Sequence, residues 1–344
     1  MPVTSAAERR FLKSSDLWLR NCQSTGIAPK TLTDYSHIIT SFYDFFVSSD
    51  LFRDDPTFTT IQAYRDALLD RGCAVRTVHQ HLVVLRSFFT FASSPDLGSE
   101  QFYSSNPVSL MLFPAMRKID ARPYDLLLTD EQVMHLWRNT PVVTTHPENW
   151  PRNYAIVVLL LSTELRNTEL RTLTLADLDF KAEQITVDHG KGDKFRTVDF
   201  PLIAQTAVRA YLASGIRPRD LPDSAPLFGT MAPKRRAGGT ASDGVWKAGS
   251  QQWLSSVVER HVFAVTGVHN IRSHDLRHVG ARLDLNSGMD HYALQSKLGH
   301  ANPQTTQIYS GKLMARVGRS SAKEVIAERD YQAQRNLARL AAAN

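Results

Sequence analysis

Cysteine is nearly missing from this chain. Its 344 residues include two, Cys22 and Cys73. They stand far apart, with neither the spacing of a metal site nor the density of a disulfide framework, and so suit a reducing compartment. Long apolar runs are also missing. The longest, Ala155 to Leu161, has the length of a buried helix and falls well short of the roughly 20 residues that cross a bilayer. The first residues carry no apolar signal core. A cytoplasmic protein with no membrane attachment is the expectation. Strong charge of one sign is lacking too: the net charge is +6, with 22% charged and 42% hydrophobic residues. These values are ordinary for a globular chain. The mild basic lean favours a polyanionic partner without naming one. No internal repeat appears, and the length suffices for two domains with a sizeable core.

The first part reads as helical. Tyr35, Ile38, Ile39, Phe42, Phe45 and Phe46 recur with helical period behind Thr33, a candidate N-cap. Ile61, Tyr64 and Leu68 repeat the pattern after Thr59 and Thr60, and Val78, Leu82, Leu85 and Phe89 form a third stripe behind Thr77. Gly26 and Gly72 fall between stripes as stops. A bundle of four or five helices over 8–113 is predicted, ending near Asn106-Pro107. Arg76, His79, His81 and Arg86 are basic positions that could face phosphates, although a solvated helix face explains any one of them. A basic linker with prolines at both ends covers 114–126.

A second domain, 127–318, opens at Thr129-Asp130-Glu131, a helix start. Tyr154–Leu161 is helical by pattern. Gln184-Ile185-Thr186-Val187 and Arg196-Thr197-Val198-Asp199-Phe200 read as two strands around a turn at Gly190-Lys191-Gly192-Asp193. Helices resume near 203–212, 252–265, 274–285 and 291–298. A helical tail occupies 319–344. Residues 231–250, with Lys234-Arg235-Arg236 among glycines and prolines, read as a mobile surface loop. The fold class expected is mainly α with a small antiparallel sheet.

The chemistry gathers late in the chain. Ser-His-Asp-Leu-Arg-His spans 273–278, Leu-Gly-His spans 298–300 and Gln-Ile-Tyr-Ser spans 307–310. Upstream are Arg166 in Glu-Leu-Arg-Asn-Thr-Glu-Leu (164–170) and Lys191 in Gly-Lys-Gly-Asp-Lys (190–194). A phosphodiester resists attack because it is anionic, and planar arginine forks can neutralise its nonbridging oxygens as charge builds. Arg166 and Arg277 suit that task. Arg166 with Glu169, and His274 with Arg277, are three apart and share a helix face. Tyr309 is the candidate nucleophile; its phenol, with a reference pKa of about 10, needs cations and a proton acceptor nearby. Lys191, on its glycine-flanked turn, is the candidate general acid for the departing oxygen, with Lys194 the competing choice. His274 can shuttle or position the proton of Tyr309, and His300 can donate to a nonbridging oxygen. Glu169 takes an orienting role. The histidines lack the carboxylate or cysteine partners of metal motifs. No metal and no cofactor are expected.

The order and spacing of Arg166, Lys191, His274, Arg277, His300 and Tyr309 closely resemble the tyrosine recombinase (phage integrase) family, over nearly the whole chain. The resemblance implies an N-terminal core-binding domain and a mixed α/β catalytic domain that clamp double-stranded DNA. It implies metal- and ATP-independent strand exchange through a 3′-phosphotyrosyl link and a four-way junction. It also implies a homotetramer on two DNA sites, with the terminal helix packing on a neighbouring subunit. Two departures stand out. Glu164 replaces the usual glycine, its carboxylate expected to point away from the phosphate, and Val279 replaces a usual threonine. A type IB topoisomerase shares the tyrosine chemistry but usually has lysine at the place of His274. A DNA-binding regulator on the same fold would lack one or more of the six residues, and none is missing.

Overall fold

The computed structural model describes residues 6–48, 54–114, 127–139, 146–187, 196–234, 242–299 and 319–342. They fall into two compact units, Met1–Ile119 and Asp120–Asn344.

The first unit is a bundle of α1 (Ala6–Ser24), α2 (Pro29–Ser48), α3 (Phe58–Asp70) and α4 (Val75–Ala92). The stripes read from the sequence converge: Phe42, Phe46, Tyr64 and Phe89 are fully buried with Phe11 and Phe88, and several of these rings meet edge-on. Each ring so buried contributes roughly 1.5–3 kcal/mol. The helix starts differ from those predicted. Helix α2 begins a turn before Thr33, at Pro29, whose fixed φ and missing N–H suit the first helical position. The Thr33 hydroxyl bonds back to the Pro29 carbonyl inside the helix. Thr57, not Thr59 or Thr60, caps α3, and α4 starts behind Ala74 rather than Thr77. In each case the apolar stripe marks the buried face and not the terminus. Gly26 and Gly72 do take left-handed φ values of +81° and +77°. The unit also runs past Asn106-Pro107, because Val108 and Leu112 are buried in its core.

The second unit is built on α6 (Trp150–Thr163), whose residues Tyr154 to Thr163 are all buried. Around it pack α5 (Asp130–Trp137), α8 (Leu202–Ala213), α9 (Gln251–Thr266) and α10 (Ser273–Ser287). Thr129 opens α5 with a capping box to Gln132. Short α7 (Asn167–Thr172) follows α6, and α11 (His291–Leu298) follows α10. The terminal helix α12 (Arg319–Ala342) packs against α5, α8 and α10 of its own chain, with Val325 and Ala333 in the core and Glu328 bonded to Arg138 at 2.9 Å.

A three-stranded antiparallel sheet runs β1 (Leu178–Asp179), β2 (Gln184–Val187) and β3 (Arg196–Asp199). Ile185 pairs with Val198 and Val187 with Arg196. The first strand was missed because two residues show no period. Much of 231–250 is not a loop: β4 (Gly229–Lys234) and β5 (Ser242–Ala248) form an antiparallel hairpin. Its glycines and proline masked the pairing, and its tip lies outside the described residues.

Candidate active site

Helix α6 stops at Thr163 because Glu164 adopts a left-handed φ of +48°. The turn at Glu164-Leu165-Arg166 then leads straight into α7. The usual glycine at this place would take that conformation without strain. Arg166 emerges at the N-cap of α7 with extended backbone. Its amide donates to Glu169 Oε2 at 2.6 Å and its Nη1 to Glu169 Oε1 at 2.7 Å. Its Nη2 donates to the carbonyl of Gly299 at 2.7 Å. Residues 133 apart in sequence are thus joined, and His300 follows Gly299 directly.

Glu169 is 4% exposed. Burial alone would raise its pKa, but hydrogen bonds from Arg196 and from the Arg166 amide, with the attraction of both guanidinium groups, hold it down at about 2. Arg196 was not singled out from the sequence. It grips both oxygens of Glu169 from the start of β3, at 2.7 and 2.8 Å. One ionised carboxylate thus joins two arginines, Arg166 and Arg196. The only sequence signal for Arg196 was a basic residue opening a strand beside the lysine turn.

Arg277, on α10, is 1% exposed. Its Nη1 donates to the carbonyl of Glu164 and its Nη2 to that of Leu298 at 2.6 Å. Asn167 Nδ2 bonds Ser273 Oγ at 2.9 Å, tying the start of α7 to the start of α10. His274 sits one residue on, edge-to-face with His278 at 4.3 Å between centroids. His274 as a whole is exposed to solvent. Partial burial, then Arg277 and Arg166, lower its pKa, and Asp275 opposes them. A neutral imidazole at neutral pH is the form that accepts a proton.

The carboxylate of Glu164 is fully buried. Lys297 Nζ approaches its Oε2 at 2.7 Å without hydrogen-bond alignment. The same ammonium bonds Asp284 Oδ2 at 2.5 Å and the Ser162 carbonyl at 3.2 Å. Burial and the charge of Asp284 push the Glu164 pKa well above the usual carboxylate range, and Lys297 and Arg277 offset this only in part. The acid is thus directed to Lys297 inside the protein.

Arg166, Glu169, His274 and Arg277 are therefore gathered around the turn after α6 and the end of α11. Lys191, its alternative Lys194, His300 and Tyr309 lie outside the described residues, though Val187 and Arg196, which flank the Lys191 segment, are paired. Among the described residues no group of three or more His, Cys, Asp or Glu side chains could hold a metal ion. No helix among them is long and apolar enough to cross a membrane. Of the basic positions on the first unit, Arg76 is exposed. His81 is hydrogen-bonded to the buried Tyr64 at 2.8 Å, and Arg86 donates to the Val108 carbonyl at 2.6 Å.

The model of the phage integrase family matches residues 128–316. The chain belongs to the phage integrase family. Among the similar relatives of this family member is a tyrosine recombinase XerC from Bacillus pumilus, 29% identical over 287 residues, covering 81% of this chain and 85% of the relative. A tyrosine recombinase XerA from Pyrococcus furiosus is 25% identical over 285 residues, covering 83% and 84%. The integrase-family fold recurs in a XerH recombinase solved with its palindromic difH substrate after cleavage. That structure has a TM-score of 0.62 at 17% identity, over 90% of this chain and 87% of the other. It recurs also in a lambda integrase dimer on a core site, with a TM-score of 0.56 at 18% identity, over 85% and 96%.

Proposed function

We propose that this phage integrase family member is a site-specific DNA recombinase that cuts and rejoins duplex DNA through Tyr309. The observation that carries the reading is the pairing of Arg166 with Gly299 and of Arg277 with Leu298. It brings two fixed cations to the residue next to His300, beside a neutral His274. That arrangement suits an anionic phosphoryl group and needs no metal.

In the proposed reaction, the Tyr309 oxygen attacks the scissile phosphorus and its proton passes to His274. Arg166, Arg277 and His300 hold the nonbridging oxygens while negative charge builds. The bond to the 5′-oxygen breaks, and Lys191 supplies the proton that makes it a hydroxyl. A 3′-phosphotyrosyl ester remains, and a 5′-hydroxyl from a partner duplex attacks it in the reverse sense. The ester conserves the bond energy, so no nucleotide cofactor is consumed. Strand exchange of this kind calls for four subunits on two DNA sites and a four-way junction. Residues 8–113 would serve as the core-binding domain, 127–318 as the catalytic domain, and α12 as the element that contacts a neighbouring subunit. Acting on DNA inside the cell, it would work in the cytoplasm.

The test uses a nicked duplex that loses its short 5′-fragment on cleavage, so that rejoining is impossible. Wild-type protein is expected to form a denaturation-resistant adduct, and Tyr309→Phe none, with DNA affinity nearly intact. An adduct with Tyr309→Phe would move the nucleophile to another residue. Relaxation of plasmids without any recombination site would point to a topoisomerase instead.

A further inference from the structure

Behind Arg277 lies a buried ionic cluster that the proposed reaction does not use. Lys297, at the end of α11, is the hub. Its ammonium meets Asp284 of α10 at 2.5 Å, Glu164 in the turn after α6 at 2.7 Å, and the Ser162 carbonyl at the end of α6 at 3.2 Å. The side chain is 11% exposed, and that of Glu164 is 0% exposed. A helix end offers carbonyls with no partner in the helix, and a cation there is favoured.

The elements joined by Lys297 are the ones that seat the arginines. Glu164 supplies one carbonyl to Arg277, and Leu298, the neighbour of Lys297, supplies the other. Gly299, the next residue, accepts from Arg166. Space has been left for the acid. A Cβ at Gly280 would stand 2.3 Å from the Leu161 carbonyl and 2.8 Å from Glu164 Oε1. Burial would lower the pKa of Lys297, but the two acids beside it, of which Asp284 carries the charge that raises Glu164, outweigh it and the ammonium stays charged.

We infer that Lys297 is a positioning residue for Arg277. By fastening the end of α11 to α6 and α10 it holds the Glu164 and Leu298 carbonyls at the spacing the guanidinium spans. The inference rests on the reading that Arg277 neutralises a DNA phosphate. Lys297 touches no substrate in this scheme. It acts through the backbone, and a guanidinium displaced by about 1 Å loses much of its effect on a transition state.

The test compares two nicked duplexes, one with an ordinary scissile phosphate and one with a methylphosphonate. The second carries no charge, so it has little need of Arg277. Lys297→Met is expected to slow covalent capture of the ordinary duplex about 10-fold or more, with DNA affinity unchanged. On the methylphosphonate the deficit should shrink to about 3-fold or less. A general loss of folded protein would slow both alike. Asp284→Asn keeps the side-chain shape and should show the same pattern at lower amplitude, and it decides the matter if Lys297→Met does not fold. Wild-type rates on both duplexes, or equal slowing on both, overturn the inference. Arg277→Gln is measured alongside. If it shows no relief on the methylphosphonate, the reading of Arg277 is wrong and the inference falls with it. If it shows relief and the Lys297 and Asp284 variants do not, only the inference falls.

Discussion

Arg196 holds both carboxylate oxygens of Glu169, with Nη1 2.7 Å from Oε1 and Nη2 2.8 Å from Oε2. Glu169 Oε1 is shared with Arg166 at 2.7 Å. One buried acid thus divides its charge between a strand arginine and the arginine proposed to meet phosphate. The division leaves Arg166 Nη2 on a backbone carbonyl at the edge of the site.

Removing Arg196 should therefore do two things. Arg196→Met leaves a carboxylate that is 2% exposed short of its best partner, and breaking a buried pair this way costs roughly 3 kcal/mol. Glu169 would also draw Arg166 toward itself and away from the phosphate. Urea unfolding should show the loss of stability, and covalent capture of a nicked duplex should slow by about 10-fold or more. A stability change under about 1 kcal/mol with an unchanged capture rate would show that the fork is a bystander.

Acid stability follows from the same carboxylate. The folded pKa of Glu169, about 2, lies below the ordinary value of 4.5. The unfolded chain therefore binds the proton more readily, and stability falls as pH falls. The contribution is complete above the unfolded pKa and is lost progressively as pH drops toward about 2. Integrated over that window it amounts to roughly 2–3 kcal/mol. Urea midpoints between pH 6 and pH 3 should decline less steeply in Glu169→Gln than in the wild type. Parallel curves for the two proteins would rule out Glu169 as a source of the acid sensitivity.

Lys191 is expected to matter in proportion to how badly the leaving oxygen needs a proton. A 5′-bridging phosphorothiolate departs as a thiolate without one. Lys191→Ala should cut ordinary DNA slowly and the thiolate duplex at close to the wild-type rate. Equal impairment on both substrates would take the acid role from Lys191 and direct the same experiment to Lys194.

DNA binding should depend steeply on salt and need both units. A chain of net charge +6 that meets many phosphates must concentrate its basic residues, and each phosphate contact releases counterions. Fragments 1–119 and 120–344 should each bind a target duplex more weakly than the full chain, with a shallower slope of log affinity against log salt. The proposed clamp is undone if either fragment equals the full protein in both quantities.

The sequence by itself determined most of the helices and singled out the motif residues. Helical stripes such as Phe42 with Phe46 and Leu82 with Leu85 and Phe89 are local patterns, set by a period of 3.6, and they converge in the core. The Thr129 start likewise needs only its own first turn. Motif spacing singled out Arg166, Glu169, His274 and Arg277 because their roles depend on residue type and order. Only the tertiary structure decided how these residues are held. Arg196 to Glu169, Arg166 to Gly299, Arg277 to Leu298 and Lys297 to Glu164 join elements far apart in the chain. Any of these charges, read alone, belongs on a solvated surface. The helix starts at Pro29 and Ala74 and the β4–β5 hairpin were likewise settled by packing and strand pairing rather than by local preference. Burial turns a charged side chain into a structural tie only when its partner arrives from elsewhere in the fold, because an unpaired charge in the interior is too costly to keep.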